Sequence, residues 1–125
     1  MAAFRAGVAA GATHLELDVH ATRDGRIVVL HDATLDRTTD VTGAVKDQDW
    51  ASVMRADAGA RFVDASGVAT YVGRGVRIPL LEDVLAEFPA IPLNVEVKQA
   101  RPEIVADVVA LVDRFRAADR VLLAA

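Results

Sequence analysis

Two short segments decide the fold: Leu15-Glu16-Leu17-Asp18-Val19 and, later in the chain, Leu93-Asn94-Val95-Glu96-Val97-Lys98. Each alternates apolar and polar residues, which is typical of a β-strand, because successive side chains of a strand point to opposite faces. We therefore expect the leucines and valines of both segments to pack under helices. The charged residues then share the opposite face: Glu16, Asp18, Glu96 and Lys98.

A cluster of three carboxylates and one ammonium indicates a bound counter-ion, because charges are seldom buried without a partner. Two carboxylates from one strand and one from another suit a hard divalent cation, Mg2+ or Ca2+. The alternative is that the strands lie at a sheet edge with their charges in water, since half-exposed strands show the same alternation. Both interpretations stay open at this point.

Composition limits the class of protein. The chain has 125 residues, 53% of them hydrophobic, with a mean hydropathy of +0.28 and a net charge of -4. It is long enough for one domain or part of one. The acidic balance and the lack of a basic run argue against nucleic acid as a partner. There is no cysteine, so no disulfide is expected, and no apolar run is long enough to predict a transmembrane segment. We expect a cytoplasmic protein.

Helical and strand patterns alternate along the chain. The predicted helices cover residues 1–12, 49–55, 81–88 and 102–117, and the predicted strands cover 14–20, 26–31, 93–98 and 121–123. Alternation of this kind predicts an α/β sheet or barrel. The long polar stretch 32–77 is expected to be a functional loop.

The turn signature Asp24-Gly25 separates the first two strands by too few residues for a helical crossover. We therefore expect an antiparallel hairpin, with a parallel arrangement through an extended loop as the alternative. A turn centred between Arg23 and Asp24 would place His31 opposite Glu16.

A set of motifs carries a family likeness, because it occurs in the order seen in glycerophosphodiester phosphodiesterases. The motifs are Gly11-Ala12, Glu16-Leu17-Asp18-Val19, Thr22-x-Asp24-Gly25, Val28-Val29-x-His31-Asp32, Leu35-x-Arg37-Thr38-Thr39, Gly43, Ile78-Pro79-x-Leu81 and Glu96-Val97-Lys98. The chain resembles this family nearly continuously from Gly11 to Gly43, and at spaced positions to about residue 98. The resemblance implies a TIM-type (β/α)8 barrel with its site at the C-terminal ends of the strands.

The resemblance also implies roles. Glu16, Asp18 and Glu96 correspond to carboxylates that hold a divalent cation, His31 to one of two catalytic histidines, and Lys98 to a phosphate contact. The implied reaction is hydrolysis of a small glycerophosphodiester to glycerol 3-phosphate and an alcohol. The chemistry fits, because a cation and an ammonium offset the charge gained by the phosphodiester in the transition state.

Two departures from the family pattern qualify these expectations. The His-Arg-Gly and Glu-Asn-Thr segments of the family do not occur, and such a barrel needs about 250 residues. We therefore expect residues 1–125 to be a partial glycerophosphodiester phosphodiesterase domain, roughly the first half of the barrel without its first strand, with impaired hydrolysis. One alternative is a non-catalytic half-barrel remnant that self-associates through unpaired strands. Another is a phosphoinositide-specific phospholipase C relative, against which the motifs between Asp24 and Thr39 argue.

Other polar residues receive structural roles. Asp32 either orients His31 or caps a turn, and Arg37 braces the loop. His14 and His20 have structural roles, although His20 shares the strand face of Glu16 and Asp18. Trp50 packs the loop helix, with a contact to substrate glycerol as the alternative. Three acidic residues are expected on a solvated helix face: Glu82, Asp83 and Glu87.

Overall fold

The structure, a computed structural model, describes all residues from 1 to 125. The four helices are α1 (Ala2–Ala9), α2 (Trp50–Val53), α3 (Leu81–Glu87) and α4 (Val105–Arg114). The four strands are β1 (Leu15–Ala21), β2 (Ile27–Val29), β3 (Leu93–Val97) and β4 (Val121–Ala124), and two short 3-10 helices cover Val45–Asp47 and Ala118–Arg120. No helix is both long enough and apolar enough to cross a bilayer.

The strands form one sheet in the order β2-β1-β3-β4. Strands β1, β3 and β4 run parallel, and β2 pairs with β1 in the antiparallel sense. The predicted α/β sheet is confirmed. The edge interpretation of the two acidic strands is wrong, because β1 and β3 are each hydrogen-bonded on both sides.

The hairpin between β1 and β2 is confirmed, but its predicted register is wrong. Val19 lies opposite Val29, so the hairpin is centred on Asp24 and not between Arg23 and Asp24. His31 therefore does not face Glu16. It follows the end of β2 instead.

The turn explains the change of register. The Thr22 amide donates to the Arg26 carbonyl at 2.9 Å, which leaves three residues in the loop where a two-residue turn was expected. Gly25 has φ +81, a left-handed conformation that glycine adopts without steric cost. This is the three-residue hairpin loop in which a left-handed residue closes the turn. Asp24 stabilises the loop and links it to the start of α2, because its carboxylate accepts hydrogen bonds from the Thr22 hydroxyl at 2.6 Å and from the Trp50 amide at 2.9 Å.

The leucine and valine faces of β1 and β3 are covered by helices, as predicted. Sixteen buried residues form this main core, which combines the two strands with α3 and α4. Phe4 and Val8 of α1 pack against its edge, while Ala9 is exposed, because α1 ends there before the Gly11 turn. Glu16, Asp18 and His20 lie on the other face of β1.

The long loop 32–77 has a core of its own. Seven buried residues hold it together: Val28, Leu35, Val45, Val53, Ala56, Ile78 and Leu80. Trp50 packs against this cluster, as predicted. Met54 does not face inward but is 46% exposed, because α2 ends at Val53 and Met54 lies beyond its buried side.

Helix α4 is shorter than predicted. It begins at Val105 and not at Pro102, whose carbonyl accepts a hydrogen bond from Gln99 Nε2 at 3.1 Å. That bond holds the preceding residues in a turn. The buried side of α4 includes Val108 and Val112, at i and i+4, which leaves Val109 40% exposed.

The predicted solvated face of α3 is confirmed for Asp83 and Glu87, which are exposed, whereas Glu82 is half-buried. Glu82 pairs with both Arg26 and Arg114, and Glu87 pairs with Arg5. Asp83 Oδ2 accepts a hydrogen bond from the Leu80 amide at 3.3 Å, at the start of the helix. The sequence did not predict these ion pairs, because the arginine partners come from distant parts of the chain.

Candidate active site

Three carboxylates meet on the sheet face opposite the main core. Asp18 of β1 and Glu96 of β3 are paired across neighbouring parallel strands, and Glu16 lies two residues before Asp18 on the same face. One carboxylate oxygen from each of the three lies within 4.8 Å of the others. The predicted meeting of side chains from two strands is therefore present in the structure.

The charges in this cluster do not balance. Lys98 Nζ lies 2.7 Å from Glu96 Oε1 and 3.4 Å from Asp18 Oδ1, so one ammonium faces three carboxylates. Its hydrogen bond to Glu96 raises the pKa of Lys98, which keeps the ammonium charged. Two negative charges remain uncompensated.

Asp18 indicates where a compensating cation would bind. Its side chain is nearly buried, and its Oδ1 atom has no hydrogen-bond partner. An unsatisfied buried acceptor is costly, and more so when it is charged. Hard oxygen donors with a deficit of two positive charges fit a divalent cation such as Mg2+ or Ca2+.

His31 is exposed and is held by Asp32. Its Nδ1 lies 2.8 Å from Asp32 Oδ1, and Arg37 donates two hydrogen bonds to the same carboxylate, at 2.6 and 2.9 Å. The Arg37 guanidinium, together with His31, keeps the pKa of Asp32 well below its usual range. An ionised carboxylate only accepts hydrogen bonds, so the His31 proton sits on Nδ1 and Nε2 is left free for proton transfer.

Asp32 contacts His31 directly. Of the two roles considered for Asp32, orienting His31 and capping a turn, the structure therefore supports the first. It also agrees with the bracing role of Arg37, which acts through Asp32.

His20 of β1 ties the backbone of the segment that carries His31 to the sheet. It is buried at 4% exposure, and its Nε2 donates to the His31 carbonyl at 3.2 Å. The Leu30 amide donates to the Asp18 carbonyl at 3.0 Å, so the backbone on both sides of this point is tied to β1. The structural role predicted for His20 therefore acts on the segment that carries His31. His14, by contrast, is exposed and contacts Thr13.

A cleft of about 360 Å3 is lined by Glu16, Asp18, His31 and Arg37. Glu96 and Lys98 lie outside its lining but contact the carboxylate cluster. Arg77 lines the same cleft and was missed in the sequence. No motif marks it, because the loop 32–77 has no regular spacing that would place its side chains.

Comparison with known proteins agrees with this geometry. The family model described as glycerophosphoryl diester phosphodiesterase family matches residues 1–123. A glycerophosphodiester phosphodiesterase of Bacillus altitudinis is 37% identical, over 98% of this chain and 50% of the relative. The chain spans about half the length of the first curated relatives it matches.

Solved structures give the same result. The glycerophosphoryl diester phosphodiesterase domain of a Mycobacterium tuberculosis protein superimposes with a TM-score of 0.88 at 28% identity, over 98% of this chain and 45% of that chain. An Oleispira antarctica phosphodiesterase in complex with the product sn-glycerol-3-phosphate gives a TM-score of 0.81 at 26% identity, over 98% and 49%. These relatives are TIM-barrel proteins, and the match to about half of each is consistent with a partial (β/α)8 barrel. The chain belongs to the glycerophosphoryl diester phosphodiesterase family.

Proposed function

We propose that this chain carries the metal site of an enzyme that hydrolyses glycerophosphodiesters to glycerol 3-phosphate and an alcohol. The observation that carries the proposal is the set of three carboxylate oxygens within 4.8 Å of one another, two of which, from Glu16 and Asp18, belong to residues that line a cleft together with His31. Family membership supports the reaction class, and the product sn-glycerol-3-phosphate bound to the Oleispira antarctica relative supports a glycerophosphodiester as the substrate.

Glu16, Asp18 and Glu96 would hold a divalent cation, Mg2+ or Ca2+. Such an ion supplies Lewis-acid stabilisation of the charge that develops on the phosphoryl oxygens. The Oδ1 atom of Asp18 supports this assignment, because it is buried without a hydrogen-bond partner and has only the Lys98 ammonium, at 3.4 Å, to offset its charge.

Lys98 would contact a phosphate oxygen. Its ammonium already sits among the carboxylates, and its raised pKa keeps it charged at neutral pH. Arg37 and Arg77 add positive charge to the wall of the same cleft, which favours an anionic substrate.

His31 would exchange a proton at Nε2 with the attacking or the departing oxygen of the phosphodiester. Asp32 holds and orients the ring through Nδ1, while Arg37 keeps Asp32 ionised. These 125 residues include one of the two histidines that the family pattern contains. Loss of one acid-base partner typically costs about 10²–10⁴-fold, so we expect slow hydrolysis by these residues alone.

The direct test is calorimetric titration of Mg2+ and Ca2+ into the wild type and into Glu16→Gln. We expect the variant to lose cation binding, because one of three carboxylate ligands is removed. Glu103→Gln is the matched control, since Glu103 is exposed and lies outside the cluster. Equal affinity in the wild type and Glu16→Gln would remove Glu16 from the ligand set. Phosphodiester hydrolysis measured with and without a chelator then tests metal dependence.

A second reading, a non-catalytic remnant that self-associates, stays a prediction. Strand β4 is paired on one side only, and its Leu122 is 67% exposed, whereas the outer side of β2 is partly covered by a hydrogen bond from the Val29 amide to the Pro79 carbonyl. Unpaired edges invite pairing with another chain. A stable dimer in sedimentation that lacks hydrolytic activity would favour this reading over the enzyme. A cytoplasmic location likewise stays a prediction.

A further inference from the structure

We propose that a cavity beside the cleft binds a phosphomonoester group carried by the alcohol part of the substrate. The inference rests on the proposed function and adds the class of alcohol that is released. The cavity, called the anion pocket below, has a volume of about 300 Å3. Six residues line it: Arg37, Thr38, Ala58, Arg61, Phe62 and Val63.

The charge of the anion pocket is positive. Arg37 and Arg61 are the only charged residues in its lining, and no carboxylate lines it. A guanidinium group has five N–H donors and forms strong, charge-assisted hydrogen bonds with phosphate oxygens. An anion in the pocket would therefore meet two positive charges and no negative one.

Both guanidinium groups are anchored by the protein and keep free donors. Arg61 Nε donates to the Thr39 carbonyl at 2.8 Å, and its terminal nitrogens make no hydrogen bond or ion pair within the chain. Arg37 uses Nε and one terminal nitrogen for Asp32, which leaves its other terminal nitrogen free. The Asp36 carboxylate accepts a hydrogen bond from the Gly43 amide and makes no ion pair with Arg61. The free donors are thus available to a ligand.

Thr38 supplies an independent observation. Its side-chain oxygen is buried and has no hydrogen-bond partner. Buried hydroxyls are almost always hydrogen-bonded, because leaving one unsatisfied costs free energy. Thr38 lines the anion pocket beside the two arginines, so an oxygen of a bound anion would satisfy its hydroxyl.

The anion pocket adjoins the cleft that contains the proposed site. Arg37, Thr38 and Ala58 line both cavities, and His31 lines the cleft. A substrate whose phosphodiester lies near His31 can therefore place a second group of its alcohol part in the anion pocket. This arrangement makes the pocket part of the substrate site.

Charge selects the occupant of the anion pocket. A choline or ethanolamine group is cationic, so Arg37 and Arg61 would repel it. A neutral alcohol such as glycerol would gain no ion pair from them. A phosphomonoester carries about 1.5 to 2 negative charges at pH 7 and three acceptor oxygens, which match two guanidinium groups and one hydroxyl.

The test compares binding of glycerophosphoglycerol with binding of the same diester carrying a terminal phosphate on its alcohol glycerol. Calorimetry is done with a chelator present, so that no divalent cation pairs with either phosphate. Both ligands share the phosphodiester, so the difference in affinity reports the terminal phosphate. Hydrogen bonds to charged groups are strong, and we expect a gain of at least about tenfold.

Inorganic phosphate, titrated alone, distinguishes a free anion from a group of the substrate. We expect it to bind at least about tenfold more weakly than the phosphorylated diester, because the rest of the diester holds the terminal phosphate close to the pocket.

Variants locate the terminal phosphate. Arg61→Gln should remove most of the gain, whereas Arg61→Lys, which keeps the charge, should retain more of it. Both variants lose the Nε bond to Thr39, so a difference between them reports charge and not loop structure. Thr38→Val should reduce the gain about threefold without lowering the temperature of thermal unfolding, because the hydroxyl has no partner in the free protein. Arg55→Gln is the matched control, since Arg55 is exposed in the same loop and lines neither cavity.

The outcomes separate this inference from the proposed function. Equal affinity for the two diesters, or no binding of either, overturns the anion pocket, while the cation titration tests the proposed function separately. A gain of equal size in the wild type, Arg61→Gln and Thr38→Val places the terminal phosphate elsewhere and also overturns the inference. Inorganic phosphate that binds as tightly as the phosphorylated diester would indicate a site for a free anion, which is a third contradiction. Binding of the phosphorylated diester alone supports the anion pocket and argues against the cleft as the phosphodiester site.

Discussion

Replacing Asp18 by asparagine should stabilise the chain when no divalent cation is bound. Asp18 lies between two other carboxylates, with oxygens of all three within 4.8 Å. Only one ammonium, that of Lys98, stands close to them. Removing the central negative charge therefore relieves repulsion in the cation-free state.

The size of the effect follows from the distances. Two unit charges 4.8 Å apart repel by about 3.5 kcal/mol at an effective dielectric constant of about 20, and Asp18 has two such neighbours. The attraction between the Lys98 ammonium and Asp18 Oδ1, which lie 3.4 Å apart, offsets about 5 kcal/mol of this repulsion at the same dielectric constant. The remainder is about 2 kcal/mol of repulsion, and water around the exposed Glu16 reduces it further. We expect Asp18→Asn to raise the free energy of unfolding by about 1 kcal/mol.

The assay is urea denaturation of the wild type and Asp18→Asn, each with a chelator and with excess Mg2+ or Ca2+. A cation at about 100 times its dissociation constant should stabilise the wild type by about 2.7 kcal/mol. The variant should gain much less, because it has lost a ligand. The variant should therefore be the more stable protein with the chelator, and the wild type the more stable protein with the cation.

Asp113→Asn is the control for the change in net charge, since Asp113 is exposed on α4. It should keep both the wild-type stability and the wild-type response to the cation. The reasoning is refuted if, without the cation, Asp18→Asn is no more stable than the wild type. Full stabilisation of that variant by the cation would refute it equally.

Four further substitutions test the fold and the loop. Asp32→Asn should flatten the pH dependence of unfolding below about pH 4, measured by urea titration. The reason is that the lowered folded pKa of Asp32 gives stability above its unfolded pKa, which is lost as the pH falls. Gly59→Ala should cost about 1–3 kcal/mol in the same assay, because its Cβ would meet the Tyr71 backbone. Leu81→Ala, at a fully buried position, should cost about 2–5 kcal/mol, whereas Leu122→Ala, at a position that is 67% exposed, should change little.

Local pattern was sufficient for the main elements of the fold. The alternation in β1 and β3 predicted both strands and the face of each that is buried, because a pleated strand has a strict period of two. The helix pattern of residues 102–117 predicted α4, but the helix covers only Val105–Arg114, so both ends of the prediction were wrong. The apolar spacing of Ile104 onward is visible in the sequence, whereas the turn held by Gln99 depends on a side chain outside the helix.

The hairpin was likewise predicted only in part from the sequence. Asp24-Gly25 predicted a tight turn, since glycine allows the left-handed conformation. Whether the loop has two or three residues depends on which hydrogen bonds Thr22 makes, and that difference moved His31 away from the position opposite Glu16. A one-residue change of register is enough to alter every cross-strand neighbour.

The sequence by itself determined which residues form the strands, and that Glu16, Asp18, Glu96 and Lys98 carry the charge of one sheet face, because these properties depend only on neighbours along the chain. The tertiary structure alone decided that β1 and β3 are adjacent and in register, which brings the carboxylates within 4.8 Å. It also decided how His31 is held and how Arg37 and Arg61 line one cavity beside the cleft. Those contacts join residues far apart in sequence through a loop without periodicity, and no local pattern encodes them.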